Sequence, residues 1–247
     1  MRECAADDAT VSMNPPELSS NVEAAAWIAA RLDRSGSVTS WVPAGFEAYA
    51  RILHPAQRPD GRPVTWAQVA AETGRSIGPD AAWHALVGSQ DPFTYEGADW
   101  AGRAPAQGLL PRDQLAALLE VLANHTTTRD SCWMCLWEGY GWVSGMSSAR
   151  FDPDPPLPAW PAEARTAARV LLNREYLLLH GTLASALALD GEDDPNWQLA
   201  QSPNLFWPDD RAWVVSTEID DLSSLVAGGA QLVADLLAND NLEVWPV

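Results

Sequence analysis

Several stretches place reactive residue types at spacings that chemistry can use. His125 followed by Cys132-Trp133-Met134-Cys135 offers an imidazole and two thiols, the set from which zinc sites and redox dithiols are built. No second Cys-x-x-Cys or His-x-x-x-His completes a structural zinc site. The cysteines also sit in an aromatic, strand-like run, not at a helix N-terminus that would lower a thiol pKa. Positions three apart on a strand face opposite ways. The expectation is therefore two core cysteines, with no metal and no cofactor.

Glu218 and Asp220 stand two apart in a run that alternates as a strand from Arg211 to Ile219, which sets their Cα atoms about 7 Å apart on one face. Two carboxylates at that distance can hold Mg²⁺ or Ca²⁺, or set an acid beside a base. Together with Glu138, and with His125 or His180 as bases, they are the catalytic candidates for a carboxylate-based or divalent-metal-dependent hydrolase. No further spaced acid motif, Gly-x-Ser-x-Gly elbow or glycine-rich phosphate loop accompanies them. The structural reading has Asp220 or Asp221 capping the next segment and His180 as a hydrogen-bonded histidine at a strand end.

Trp137-Glu138-Gly139-Tyr140-Gly141-Trp142 and Trp207-Pro208-Asp209-Asp210-Arg211 give a different signal. Their rings can flank a planar or sugar-like ligand beside side chains that hydrogen-bond to it. Trp137, Tyr140, Trp207, Asp209 and Arg211 are the ligand-binding candidates. Against that, the glycines permit a bulge at a strand end, and a chain with 13 tryptophans buries most of them. Trp207–Arg211 and Glu218–Asp221 fall at opposite ends of one expected strand, about 30 Å long, and are not expected to share a site.

The elements that must position these groups are short. Ser20-Asn21-Val22-Glu23 is a capping-box pattern for a helix to about Leu32, and Thr65-Trp66-Ala67-Gln68 is another for a helix closed by Gly74. Asp80–Val87 reads as a helical segment capped by Asp80. Pro111–Ala123 is the clearest helix, striped by Leu115, Leu118, Leu119 and Leu122. Strands are expected at Ser37–Trp41, Phe46–Leu53, Cys132–Trp137, Ala168–Leu172 and Glu175–Leu179, with Thr182 capping a short helix over Leu183–Leu189. The closing stretch is expected to run from the strand ending at Ile219 into a helix from Val226, on the spacing of Val226, Val233, Leu236 and Leu237, and then a short strand. Residues 1–18 read as a disordered or loosely docked tail and residues 19–247 as one domain, with the proline-rich 144–162 as the place for any subdomain break. Short strands among short helices, without regular crossovers, give an α+β protein: a mostly antiparallel or mixed sheet with several short helices packed on it.

Charge narrows the function classes. The 247 residues include 15 arginines, no lysine and 33 acids, a net charge of −18. Residues 190–247 hold twelve acids against Arg211 alone, a net −11. Such a surface repels phosphate backbones, which argues against nucleic-acid binding, and it favours a basic protein as partner. No run of about 18 apolar residues exists to cross a membrane. The acidic N-terminus lacks the positive charge and apolar segment of a signal peptide, so a cytoplasmic location is expected. Three cysteines make no disulfide framework.

WVPAGFEAYARILHP, CWMCLWEGYGW, NREYLLLHG and SPNLFWPDDRAWVVSTEID together resemble a group of uncharacterised proteins from GC-rich bacterial genomes. The likeness runs from about Ala24 to the C-terminus and implies one integrated unit; it implies no activity, cofactor or catalytic residue. The first expectation is a non-catalytic interaction protein, inhibitor- or immunity-like, that turns an acidic C-terminal face to a basic partner. A hydrolase built on the carboxylates is the alternative. A small-molecule or carbohydrate binder lined by Trp137, Tyr140 and Trp207 is the third reading.

Overall fold

Alternation of face along Cys132–Trp137 sets the plan of the fold. Cys132, Met134 and Leu136 enter one hydrophobic cluster, and Cys135 enters another on the opposite face. The computed structural model describes residues 14–33, 35–140, 164, 166–190 and 201–247. The 144–162 stretch, Trp142 and most of the expected N-terminal tail lie outside them.

In chain order the elements are β1 (Glu17–Leu18), α1 (Ala26–Ala29), β2 (Ala48–Leu53), β3 (Ala56–Gln57), β4 (Pro63–Val64), α2 (Trp66–Thr73), α3 (Trp83–Leu86), α4 (Arg112–Leu122), β5 (Cys132–Trp137), β6 (Arg169–Leu171), β7 (Glu175–Gly181), β8 (Leu205–Pro208), β9 (Val214–Ser216), β10 (Ser223–Gly228), α5 (Ala230–Leu237) and β11 (Glu243–Pro246). Short 3-10 turns occupy Val22–Ala25, Val38–Ser40, Ala123–His125 and Leu183–Asp190. Nine strands form one sheet in the order β1-β7-β5-β8-β9-β10-β2-β11, with β6 beside β7. Every pairing in it is antiparallel, and β3 and β4 pair separately. The fold is α+β.

One face of the sheet packs Met134, Leu177, Leu179, Phe206, Val215 and Val226 beneath α4, α5 and the 183–190 turn. The stripe expected of α4 is the stripe it buries: Leu115, Leu118, Leu119 and Leu122. The other face packs Cys135, Leu178, Leu205, Trp207, Val214 and Ala227 beneath Ala25, Ile28 and Val42. A third cluster, centred on Trp66, Trp83, Val64 and Leu86, packs α2 and α3 against Leu53 of β2 and Trp245 of β11. The capping box of α2 forms as its sequence requires. Gln68 N donates to Thr65 Oγ1 (3.2 Å), Thr65 N donates to Gln68 Oε1 (3.1 Å), and Gly74 closes the helix in the left-handed region at φ 69°.

Five expectations are corrected. Ser37–Trp41 is a 3-10 turn, not a strand, because Asp33 gathers the Ser35 amide (2.9 Å), the Ser40 hydroxyl (2.8 Å) and the Thr39 hydroxyl and curls the segment around itself. The helix expected from Ser20 to Leu32 shrinks to a 3-10 turn followed by four α-helical residues, with no side-chain cap at Asn21. Asp80 does not cap α3, whose N-cap is Ala82. The expected tail ends early: Glu17–Leu18 pairs with β7, and Ser19 N donates to Leu178 O at 2.8 Å. The largest correction is near the C-terminus. The strand expected from Arg211 to Ile219 keeps only Val214–Ser216, and Val226 belongs to β10, so that α5 starts at Ala230 and leaves Leu237 exposed.

Candidate functional site

The ten candidate residues divide between the two ends of β5, five at each. At the Trp137 end the organiser is Arg174, from the turn between β6 and β7. Its Nε donates to Glu218 Oε1 (2.7 Å), its Nη2 lies 2.5 Å from Asp220 Oδ2, and its Cζ stands 5.6 Å from the centre of the Trp137 ring. Tyr140 meets Trp137 edge-on at 5.3 Å and accepts a hydrogen bond from Asn204 Nδ2 (3.1 Å). Buried Asn204 also accepts from Trp137 N (2.8 Å) and donates to Thr217 O (3.2 Å), tying the end of β5 to β8 and β9. Glu138 pairs with Arg169 at 3.2 Å.

Electrostatics at this end favour a closed ionic cluster. Burial raises the Glu218 pKa, and the hydrogen bond and charge of Arg174 only partly offset it. Burial works against the Arg174 cation, but Glu218 and Asp220 more than offset that and raise its pKa. Burial also raises the phenols of Tyr140 and Tyr176. Glu218 and Asp220 meet at Arg174, not on one strand face as expected but in the turn that follows β9. A guanidinium occupies the position between them that a metal ion or a substrate proton would need.

His125, His180, Trp207, Asp209 and Arg211 gather at the other end. Trp207, Trp133, His180 and Glu17 lie in one row across β8, β5, β7 and β1. The half-buried Trp133 ring packs on His180 with centroids 4.4 Å apart, and its Nε1 donates to Asp209 Oδ1 (2.9 Å). His180 Nε2 lies 3.0 Å from Ser131 Oγ. Asp210 receives Thr126 Oγ1 (2.9 Å), Thr127 N (2.7 Å) and Thr127 Oγ1 (2.8 Å), which pin the 126–128 loop to the β8–β9 turn. Its pKa is lowered, since these hydrogen bonds outweigh its partial burial. Arg211 takes φ 57° at that turn and sets its guanidinium 5.3 Å from the Trp27 ring centre. Trp27 in turn meets the fully buried Trp207 edge-on at 6.5 Å.

The His125-Cys132-Cys135 set does not converge. His125 Nε2 is hydrogen-bonded to Asp235 Oδ2 (2.7 Å), while both cysteines are buried on opposite faces of β5. Burial, with the fields of Asp210, Asp130 and Asp209, pushes the Cys132 thiol up to about 12, and burial alone raises Cys135 further. Trp207 is core, not a ligand platform. Among the described residues no group of three or more His, Cys, Asp or Glu side chains is placed to hold a metal ion.

Sequence reasoning missed Arg174, Asn204, Ser131 and Trp133 as organisers. Arg174 and Asn204 stand in loops where only tertiary pairing reveals them. Trp133 carried one signal, its place in an alternating strand, but its partners depend on a register that the sequence does not print. Comparison of the chain with protein-family models, curated proteins and solved structures gives no match.

Proposed function

We propose that the protein is a non-catalytic interaction protein that docks a basic partner at the Trp133 corner. The supporting observation is the setting of Trp133: a half-buried ring tied to exposed Asp209, with exposed Asp130 and Asp210 on the adjoining loops. An aromatic anchor within a charged rim is the usual anatomy of a protein-binding hot spot. The net −18 of the chain supplies long-range attraction for a cationic surface. Arg129 and Arg211 stand at the same corner, so recognition there is patterned rather than uniformly anionic. The acids of residues 201–247 do not all face one way: Glu218 and Asp220 are held by Arg174, and Glu243 lies against α2.

The hydrolase reading has less support. Its carboxylates and its histidines stand at opposite ends of a six-residue strand, roughly 17 Å apart, and each carboxylate is engaged by an arginine.

Fluorescence anisotropy with a labelled arginine-rich peptide tests the docking reading. Binding at low salt should weaken steadily as salt rises. Trp133→Ala and Asp209→Asn should each weaken it by about tenfold, while Asp240→Asn and Glu96→Gln, exposed but remote, leave it nearly unchanged. Equal weakening by the remote substitutions would reduce the interaction to bulk charge and sink the proposed corner.

A further inference from the structure

Phe93 is the most exposed large apolar side chain among the described residues, with 86% of its surface open to water. It stands on a turn in the long loop between α3 and α4, and Asp91 braces that turn. Asp91 Oδ1 accepts from Phe93 N (3.0 Å), Asp91 Oδ2 from Thr94 Oγ1 (3.0 Å), and the Asp91 carbonyl from Thr94 N (3.1 Å). Asp91 N donates in turn to Ser89 Oγ (3.1 Å), and Pro92 further restricts the backbone. A single apolar residue on a surface is ordinary. A ring held out in water by a braced turn is preorganised, and gives up little freedom on entering a pocket. The Asp91 carboxylate travels with the ring, so the pocket that suits this turn is apolar with a cation at its rim.

The chain itself has such a place. A groove of about 620 Å³ lies between the β3–β4 hairpin, the loop around Arg103–Ala106 and the start of α4. Pro55, Pro63, Val64, Ala104, Ala106 and Pro111 form its apolar lining, and exposed Arg103 stands at it. Among the described residues the Arg103 guanidinium has no ion pair or hydrogen bond. We propose that Phe93 of a second copy of this chain seats in this groove with its Asp91 against Arg103, and that the exchange is mutual across a twofold axis. Asp113 also lines the groove, so the turn enters with Asp91 turned to Arg103 and away from α4. One ring and one groove at each end make a small interface, so the pairing is weak and concentration-dependent. Two chains of net −18 repel each other, and salt screens that repulsion. Each exposed rim pair is worth only about 0–1 kcal/mol, so its own screening matters less. Self-association should therefore strengthen as salt rises, the reverse of docking a basic partner. The groove and the Phe93 turn share no residue with the Trp133 corner, and the two readings stand or fall apart.

Sedimentation velocity of the native chain from about 10 to about 500 μM, at about 0.05 M and about 0.5 M salt, tests the pairing. The mass should move from monomer towards dimer with concentration, and further at high salt. Phe93→Ser and Arg103→Glu should each weaken the dimer at least about tenfold. Both positions are exposed, so neither substitution puts the fold at risk, and thermal unfolding of the variants confirms that. An equimolar mixture of the two variants should dimerise better than either alone, because Phe93 of the Arg103→Glu chain meets an intact groove on the Phe93→Ser chain. A monomer under every condition, a dimer that Phe93→Ser leaves unchanged, or a mixture no better than its components would each overturn the proposal.

Discussion

His54 shows how much a single buried polar side chain can govern. It is fully buried, and its Nδ1 lies 2.9 Å from the Ala106 carbonyl, which can only accept. Nδ1 therefore carries the proton, and Nε2 accepts from Ser224 Oγ at 2.9 Å, with Thr217 Oγ1 a further 2.7 Å on. Burial lowers the imidazole pKa from 6.5 to about 4, with Arg51 adding to the fall and the Ala106 carbonyl opposing it. The unfolded chain thus binds the proton first as pH drops. Stability that is complete above pH 6.5 is lost progressively towards pH 4, by about 3 kcal/mol from this group alone. Urea unfolding at pH 7.5 and 4.5 should show that loss in the native chain. The His54→Gln variant, less stable at pH 7.5, should lack this share of the drop. An identical drop in both would mean that acidic groups elsewhere account for it.

Among the elements, α2 depends most on a distant residue. Eight residues long, it takes its N-terminal box from Thr65 and Gln68, but its first two amides go elsewhere: Trp66 N donates to Glu243 Oε2 (2.6 Å) and Ala67 N to Glu243 Oε1 (2.7 Å). A carboxylate from the C-terminal strand thus sits on the positive end of a helix near residue 66. Burial raises the Glu243 pKa, and these two amides pull the other way. Glu243→Ala should cost about 1–2 kcal/mol by leaving the part-buried Trp66 N–H unpaired and removing the carboxylate from the exposed Ala67 N–H. Hydrogen exchange should show α2 amides losing protection ahead of those of β5; unchanged α2 protection would contradict the assigned cap. The local half of this arrangement, Thr65-x-x-Gln68 with Gly74, was legible because the partners are three residues apart. The Glu243 half was not, because its partners are 177 and 176 residues away. The same distinction explains β10. Ser223–Gly228 is buried at every position, so it lacks the polar–apolar alternation that reveals a half-buried strand, and in the sequence Val226 falls in phase with the helical spacing of α5. Residue types at the candidate site were legible one by one, since Trp137, Tyr140, Glu218 and Asp220 do converge. Their meaning was hidden in Arg174, whose position in a loop of ordinary sequence gives no periodic or spacing signal.

At the scale of the whole molecule, 33 acids share 15 arginines, so where each arginine goes decides which carboxylates can be buried. Arg174 joins the β6–β7 turn to the segment after β9, strands separated by β5 and β8 in the sheet, and it neutralises the buried Glu218 on the way. Arg174→Met keeps an unbranched apolar side chain there but removes the guanidinium that lies over Trp137 and strands an anionic Glu218. A fully buried pair broken this way costs about 3–5 kcal/mol; with Arg174 partly exposed, about 2 kcal/mol is expected. Glu218 already has a raised pKa, so its ionised form is the one the folded state disfavours, and without Arg174 that pKa rises further. The stability deficit of Arg174→Met should therefore be largest near pH 8 and should narrow as pH falls and Glu218 takes up its proton. The double substitution Arg174→Met, Glu218→Gln should recover most of the loss at neutral pH, because the neutral amide no longer needs a cation. Denaturant midpoints of the native chain, Arg174→Met, Glu218→Gln and the double variant at pH 8 and pH 5 measure this directly. A deficit that is independent of pH, and unrelieved by Glu218→Gln, would place the role of Arg174 in the stacking of its guanidinium on Trp137 and not in its pairing with Glu218.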